Sequence, residues 1–280
     1  MENNQLNQPK KTNNTGLNPL LTILLLLIIS VLTYVFILGA DSNFVPLSEA
    51  DIKNGLSASE GDPRNVMGII HQGGVIVPIL MTFALMVIVF SIERFFILSK
   101  AAGTKSISQF MTEIKTALEK NEINYAIELC DQQKGSVGNV VKECLLNYKN
   151  LGIDQTLNKE QKLNSLNQTI EEAVTLEMPS LEKNMNILST IASVATLVAL
   201  MGTVMGMIRS FFALGDGGGS PDAAALSKGI AEALINTALG IGASALAIIA
   251  YNYFTSKIDN LIFKIEEIGF IIQKSFNSKH

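Results

Sequence analysis

Charge is what this sequence has least of. Of its 280 residues only 16% are Asp, Glu, Lys or Arg, where a soluble globular protein carries about 25%. The deficit is not spread evenly: four stretches of about 20 residues, each long enough to cross a bilayer, are nearly free of charge. This excludes a soluble enzyme and a disordered chain, and points to an integral membrane protein. A net charge of −4 gives nucleic-acid binding no electrostatic support. Two cysteines, Cys130 and Cys144, are too few for a disulfide framework. The two histidines, His71 and His280, stand far apart, so neither a metal site nor a cofactor is expected. The motifs H-E-x-x-H, G-x-S-x-G and G-x-x-x-x-G-K-[ST] are all missing. No catalytic residue is assigned, and the chain is not expected to be an enzyme. Gly240-x-Gly242-x-x-Ala245 matches a loose dinucleotide pattern, but it lies inside an apolar run with no strand before it and reads as helix packing.

What is present is apolar. Hydrophobic residues make up 48% of the chain. Residues 20–40 (LLTILLLLIISVLTYVFILGA) form a first span, 74–97 a second, 187–214 a third and 223–255 a fourth. The first exceeds the ~7–15 residues of a signal-peptide core, and Leu38-Gly39-Ala40 is a poor cleavage site, so it reads as a retained anchor. Pro78 is expected to kink the second span. Lys and Arg set the orientation. The 41–73 loop holds only Lys53 and Arg64 against five acids, whereas 98–186 holds ten Lys. Lys10 and Lys11 mark the 1–19 tail, and Lys257, Lys264, Lys274 and Lys279 mark 256–280. Both termini and the 98–186 region are therefore expected in the cytoplasm, with the loop 41–73 and the turn 215–222 outside.

Between the spans the pattern is helical. A short helix is expected over Ser48–Asn54. Ile107, Phe110, Ile114 and Leu118 recur every three to four residues. Further helices follow over Asn124–Cys130 and Val140–Tyr148, with a break at Gly135-Ser136. From Leu163 a helix runs towards the third span, and Pro179 marks a kink or joint. After the fourth span, Ile258, Leu261, Ile265, Ile268 and Ile272 keep a 3-4 spacing. One helix from Ser227 to Ser275 would be about 70 Å long and outrun the bilayer. Its far half is expected to pack on the helices of 98–186.

The third and fourth spans each carry a stripe of small and hydroxylated residues. On one helix these are Ser189, Ala192, Thr196, Ala199, Thr203, Gly206 and Ser210; on the other, Ala233, Thr237, Gly240, Ser244 and Ala247. Such stripes serve close helix packing, as Gly202-x-x-x-Gly206 would, or line a polar path. Glu232 lies beside the membrane. It reads either as a functional intramembrane acid or as a surface acid at the helix start, paired with Lys228 at i−4. Arg209 reads as a snorkelling cap on the third span. Asp216 and Asp222 read as solvated turn residues, and the two cysteines as free buried thiols.

Two motifs carry a resemblance. Gly202-Thr203-Val204-x-Gly206 is followed by Gly229-Ile230-Ala231-Glu232-Ala233-Leu234-x-x-Thr237-Ala238-x-Gly240, and Tyr251-Asn252 closes the fourth span. Over about 71–275 the chain resembles the MotA/TolQ/ExbB proton-channel family, in particular its ExbB and TolQ branch. It departs from the common pattern in lacking prolines near Ala195-Thr196 and Ala245-Leu246-Ala247, and in having Ala199 and Met205 where Gly and Trp are usual. The resemblance implies an all-α integral membrane protein, with long helices extending into the cytoplasm, assembled as a homopentameric ring in the bacterial inner membrane. It implies an ExbD- or TolR-like single-span partner, two copies in the pore, and a TonB- or TolA-like periplasm-spanning protein. Thr203, Thr237 and Glu232 match the family's proton-pathway positions. Ser189, Thr196, Ala199, Gly206, Ala233, Gly240 and Ser244 become a pore-lining stripe.

The function expected on this basis is a proton-channel and stator subunit. It couples proton-motive force to mechanical work, first as an ExbB-like energiser of TonB-dependent outer-membrane transport. The alternatives are a TolQ-like subunit for envelope maintenance, a flagellar or gliding stator, and a non-conducting membrane scaffold.

Overall fold

The computed structural model describes residues 18–47, 61–215 and 223–279. The expected helix at Ser48–Asn54, the lysines at 10 and 11, and Asp216 and Asp222 all lie outside the described residues.

Nine α-helices account for nearly all of the described chain: α1 (Pro19–Leu32), α2 (Val66–His71), α3 (Val77–Ala102), α4 (Ile107–Glu119), α5 (Ile123–Gln133), α6 (Gly135–Ile153), α7 (Lys159–Glu182), α8 (Met185–Gly215) and α9 (Ala223–Lys279). The turns of α1 widen to a π-helix over Thr33–Leu38. Four helices are long and apolar enough to cross a membrane: α1 with its π-helical end, α3, α8 and α9.

Local chemistry places the helix ends. Pro19 and Pro78 sit in the first turns of α1 and α3. A missing backbone donor costs nothing there. Pro78 therefore starts the second span instead of kinking it, and its carbonyl accepts from Thr82 Oγ1 at 2.7 Å. Asn158 caps α7 in a reciprocal capping box with Gln161. Pro179 lies inside α7. The joint with α8 comes later, at Lys183-Asn184, where Asn184 takes φ 62°. The break expected at Gly135-Ser136 falls at Lys134 and Gly135, both with positive φ.

One core runs from the spans into the polar region. Phe110, Ile114 and Leu118 of α4, Leu129 of α5, Val137, Val141 and Leu145 of α6, and Leu166 and Ile170 of α7 share a cluster with α9. Ile258, Leu261, Ile265, Ile268 and Ile272 of α9 are all buried in it. At 57 residues α9 is about 85 Å long. It belongs to the membrane bundle at one end and to the helical layer at the other. Cys130 and Cys144 are free and buried in the layer. Burial pushes both thiols up to about 12.

At the junction between bundle and layer, Arg94 of α3 is fully buried. Its Nη1 donates to Leu181 O at 3.2 Å, and its Nη2 lies 3.8 Å from Glu93 Oε1. Asn184 Nδ2 donates to both oxygens of Glu93, at 3.2 and 2.9 Å. The end of α3 is thereby tied to the α7–α8 joint.

α1 packs along α3. Only Thr22, Leu26 and Ser30 are buried within the α-helical part of α1, one residue per turn. Ser30 Oγ donates to Pro78 O at 2.6 Å. Beyond the π-turns, Tyr34 Oη donates to His71 O at 3.1 Å. The rings of Tyr34 and His71 stack with centroids 4.4 Å apart, and Phe44 meets His71 edge-on.

Candidate functional site

α8 and α9 run antiparallel along a shared seam. Small residues set its width, because a side chain at these positions would strike the other backbone. A Cβ on Gly206 would come within 2.8 Å of Gly229 O and 3.1 Å of Ala233 Cβ. A Cβ on Gly240 would overlap Ala199, and one on Gly202 would reach Asn236 Cβ at 2.9 Å. Ser244 Oγ bonds to Ala192 O across the seam.

The stripes assigned to a pore divide accordingly. Ala199, Gly206, Ala233, Gly240 and Ser244 are buried between α8 and α9 of one chain. In the single chain these five residues face the other helix of the seam. Ser189 is exposed and Thr196 half-buried.

Thr203 and Thr237 lie at the flank of the seam, both half-buried. Their hydroxyl oxygens are 2.5 Å apart. Thr203 Oγ1 is also 3.2 Å from Ala199 O, and Thr237 Oγ1 is 3.1 Å from Ala233 O. Two hydroxyls own two protons. One donates to its neighbour, and the neighbour donates to the carbonyl a turn before it. The lone pairs left over accept from any donor that reaches the open side.

About one and a half turns along, Glu232 Oε1 meets Arg209 Nη1 at 2.5 Å. The Glu232 side chain is only 12% exposed, and that of Arg209 is 52% exposed. This ion pair is made across the seam, between α8 and α9. Arg209 is the partner of Glu232 in this pair.

Three features escaped the sequence reading. Asn236 is fully buried, and its Nδ2 donates to Gly73 O at 2.9 Å. Gly74 takes φ +75°, and a Cβ there would come within 2.6 Å of Glu232 Oε1. His71 lies behind this turn; burial, with Lys228 nearby, holds its imidazole below the ordinary value. The signals were an amide inside a small-residue span and a Gly-Gly step before an apolar run. Among the described residues no group of three or more metal-ligating side chains converges.

The comparisons with known proteins bear on this same region. Residues 139–267 match the MotA/TolQ/ExbB proton channel family. A putative biopolymer transport protein ExbB homolog of Methanothermobacter thermautotrophicus is 28% identical over 204 residues, covering 72% of this chain and 67% of that protein. The Tol-Pal system protein TolQ of Haemophilus influenzae is 39% identical over 87 residues, 31% of this chain and 38% of the relative. The biopolymer transport protein ExbB of Xanthomonas campestris is 30% identical over 115 residues, 41% and 44% of the two chains. The chain thus spans less than half the length of the last two relatives. The matched residues contain α8, its seam with α9 and the Thr203–Thr237 contact, and the chain is a multi-pass membrane protein of the MotA/TolQ/ExbB proton channel family, on its ExbB and TolQ branch.

Proposed function

We propose that this chain is the ring-forming channel and stator subunit of an inner-membrane motor, ExbB-like in role, that turns proton-motive force into work on a TonB-like periplasm-spanning protein. The carrying observation is the Thr203–Thr237 hydroxyl contact, half open at the flank of the seam. It offers uncharged acceptors to a protonating carboxyl on a partner helix. A charged side chain in that position would cost several kcal/mol and would hold the proton. Each proton crossing 100 mV releases about 2.3 kcal/mol, enough over a few protons to move packed helices.

The ring reading has its own support. Asn186, Ser189, Thr190 and Ser193 of α8 are exposed on the single chain, within a candidate span. Lipid solvates such groups poorly. Five copies with α8 and α9 inward give them water and a neighbour, and leave room for two helices of an ExbD- or TolR-like partner. Membrane lipid covers the apolar outer faces, and both termini lie in the cytoplasm. A TolQ-like role in envelope maintenance is the second reading, favoured by the 39% identity to a Tol-Pal system protein TolQ over 87 residues.

The test is Thr203→Val/Thr237→Val in the co-expressed complex. Valine keeps the shape and removes both partners of the contact together, which is close to neutral for packing. Native mass spectrometry should still count five copies with two of the partner. Proton flux in vesicles should fall about tenfold or more, the loss of a stabilisation near 1.4 kcal/mol. Normal flux in an assembled double variant would make these threonines packing residues and defeat the proposal.

A further inference from the structure

Glu232 does not reach Arg209 unaided. Its carboxylate lies between two elements: α8, which brings Arg209, and the turn from α2 into α3. The turn approaches so closely that Gly74 has no room for a Cβ beside Glu232 Oε1, and its φ of +75° is one that glycine adopts freely. The turn is held to α9 by the Asn236 Nδ2 bond to Gly73 O, one helical turn along from Glu232. Ile235 packs on Gly73 from the same stretch of α9; a Cβ on Gly73 would come within 2.9 Å of Ile235 Cγ2. On the far side the turn is backed by α1, through Tyr34 on His71 and Ser30 on Pro78. A carboxylate on a helix surface ordinarily samples several rotamers. Here Gly74 lies directly against the carboxylate, and the rotamer present faces Arg209.

We infer that Asn236 and the Gly73–Gly74 turn form a clamp that fixes the Glu232 carboxylate against Arg209, with α1 bracing the clamp. Asn236 is a positioning residue. It acts through Glu232, by way of its bond to Gly73 O. The inference rests on the proposed motor role of Glu232 for its importance, but its geometry stands apart from that role. Breaking the clamp frees Glu232 to leave Arg209 and become accessible from the membrane. The bracing also assigns the first span a task within the subunit: it holds the turn that holds the acid.

A hydrophobic carbodiimide reads this directly, since it labels a carboxyl according to its access from the membrane. The full-length complex carrying Asn236→Leu is treated with dicyclohexylcarbodiimide, and labelling rates at Glu232 and Glu93 are followed by peptide mass spectrometry. Glu93 is a buried acid at the other end of α3 and reports general loosening. The expected result is labelling of Glu232 about fivefold faster, the effect of one lost buried hydrogen bond on a local equilibrium, with Glu93 unchanged. An unchanged Glu232 rate overturns the clamp, and so does an equal rise at both acids. If Asn236→Leu fails to assemble, Gly74→Ala decides by the same two rates: its Cβ would meet Glu232 Oε1 and strain the turn at φ +75°, so Glu232 labelling should again rise with Glu93 unchanged, and an unchanged Glu232 rate overturns the clamp. The motor role fails by a different reading, normal proton flux in Glu232→Gln, which leaves the labelling result intact.

Discussion

Glu232 shows how a single side chain divides its work between charge and packing. Its ion pair with Arg209 is half exposed on the arginine side, and exposed pairs contribute about 0–1 kcal/mol to stability. Removing the charge should therefore spare the fold. Glu232→Gln retains size and hydrogen bonding, so complexes should assemble in normal amount. Their proton-driven work should fall about tenfold or more, because a hydrogen bond to a charged group contributes about 1.5–3 kcal/mol. Normal work in Glu232→Gln together with failed assembly of Glu232→Ala would make the residue structural. The acid itself was legible, since a carboxylate beside a span stands out. Its partner was not. Sequence spacing favours Lys228 on the same helix, and Arg209 becomes a neighbour only when α8 and α9 are laid antiparallel. Asn236 was not legible, because its bond goes to a backbone carbonyl 163 residues away.

Among the elements, the seam of α8 and α9 was the most legible, because small residues at three- and four-residue spacing mark a face whichever way the helices cross. What spacing could not decide was what the face is turned towards. Five of the seven residues assigned to a pore lie against the partner helix of the same chain, so the close approach uses the stripe before any pore does. Two glycines half a turn apart test this. Gly240 is pressed on Ala199, whereas a Cβ on Gly242 would have nothing within 4 Å. Gly240→Ala should destabilise the folded subunit by about 1–3 kcal/mol through overpacking. Gly242→Ala should leave it unchanged, or stabilise it by up to about 1 kcal/mol through helix propensity. Unfolding followed by circular dichroism in detergent compares the two, and equal effects would refute the seam as drawn. The junction at Arg94 was not legible at all. Glu93 and Arg94 stand in sequence at the end of an apolar run, and their role as a tie to the α7–α8 joint depends on Asn184, 91 residues from Glu93.

At the scale of the whole molecule, one helix, α9, links a lipid-facing bundle to a helical layer. The side of the membrane on which that layer sits follows from lysine distribution alone. On the orientation we propose, the ten lysines of 98–186 place it in the cytoplasm and the acid-rich 41–73 loop outside. Single cysteines report this if the probe sites are exposed and the native thiols are silent. Ser136, beside the break before α6, is 7% exposed and unsuitable; Ser108 of α4 and Met67 of α2 are exposed. The native thiols are well placed to stay silent. Cys130 and Cys144 are buried, with thiols pushed from 9.0 up to about 12. A raised thiol pKa keeps the proton on sulfur, so at pH 8 the reactive thiolate is scarce in the folded chain. The same shift makes folding stability fall as pH rises from about 9, where an unfolded thiol ionises, through about 12. At pH 8 an impermeant maleimide added to sealed cells should therefore label a Met67→Cys variant and leave Ser108→Cys and the wild type unlabelled. Opening the membrane without denaturing the protein should add Ser108→Cys alone, and only denaturant should bring up Cys130 and Cys144. Labelling of Ser108→Cys in sealed cells would reverse the orientation, and the cytoplasmic placement of both termini would reverse with it.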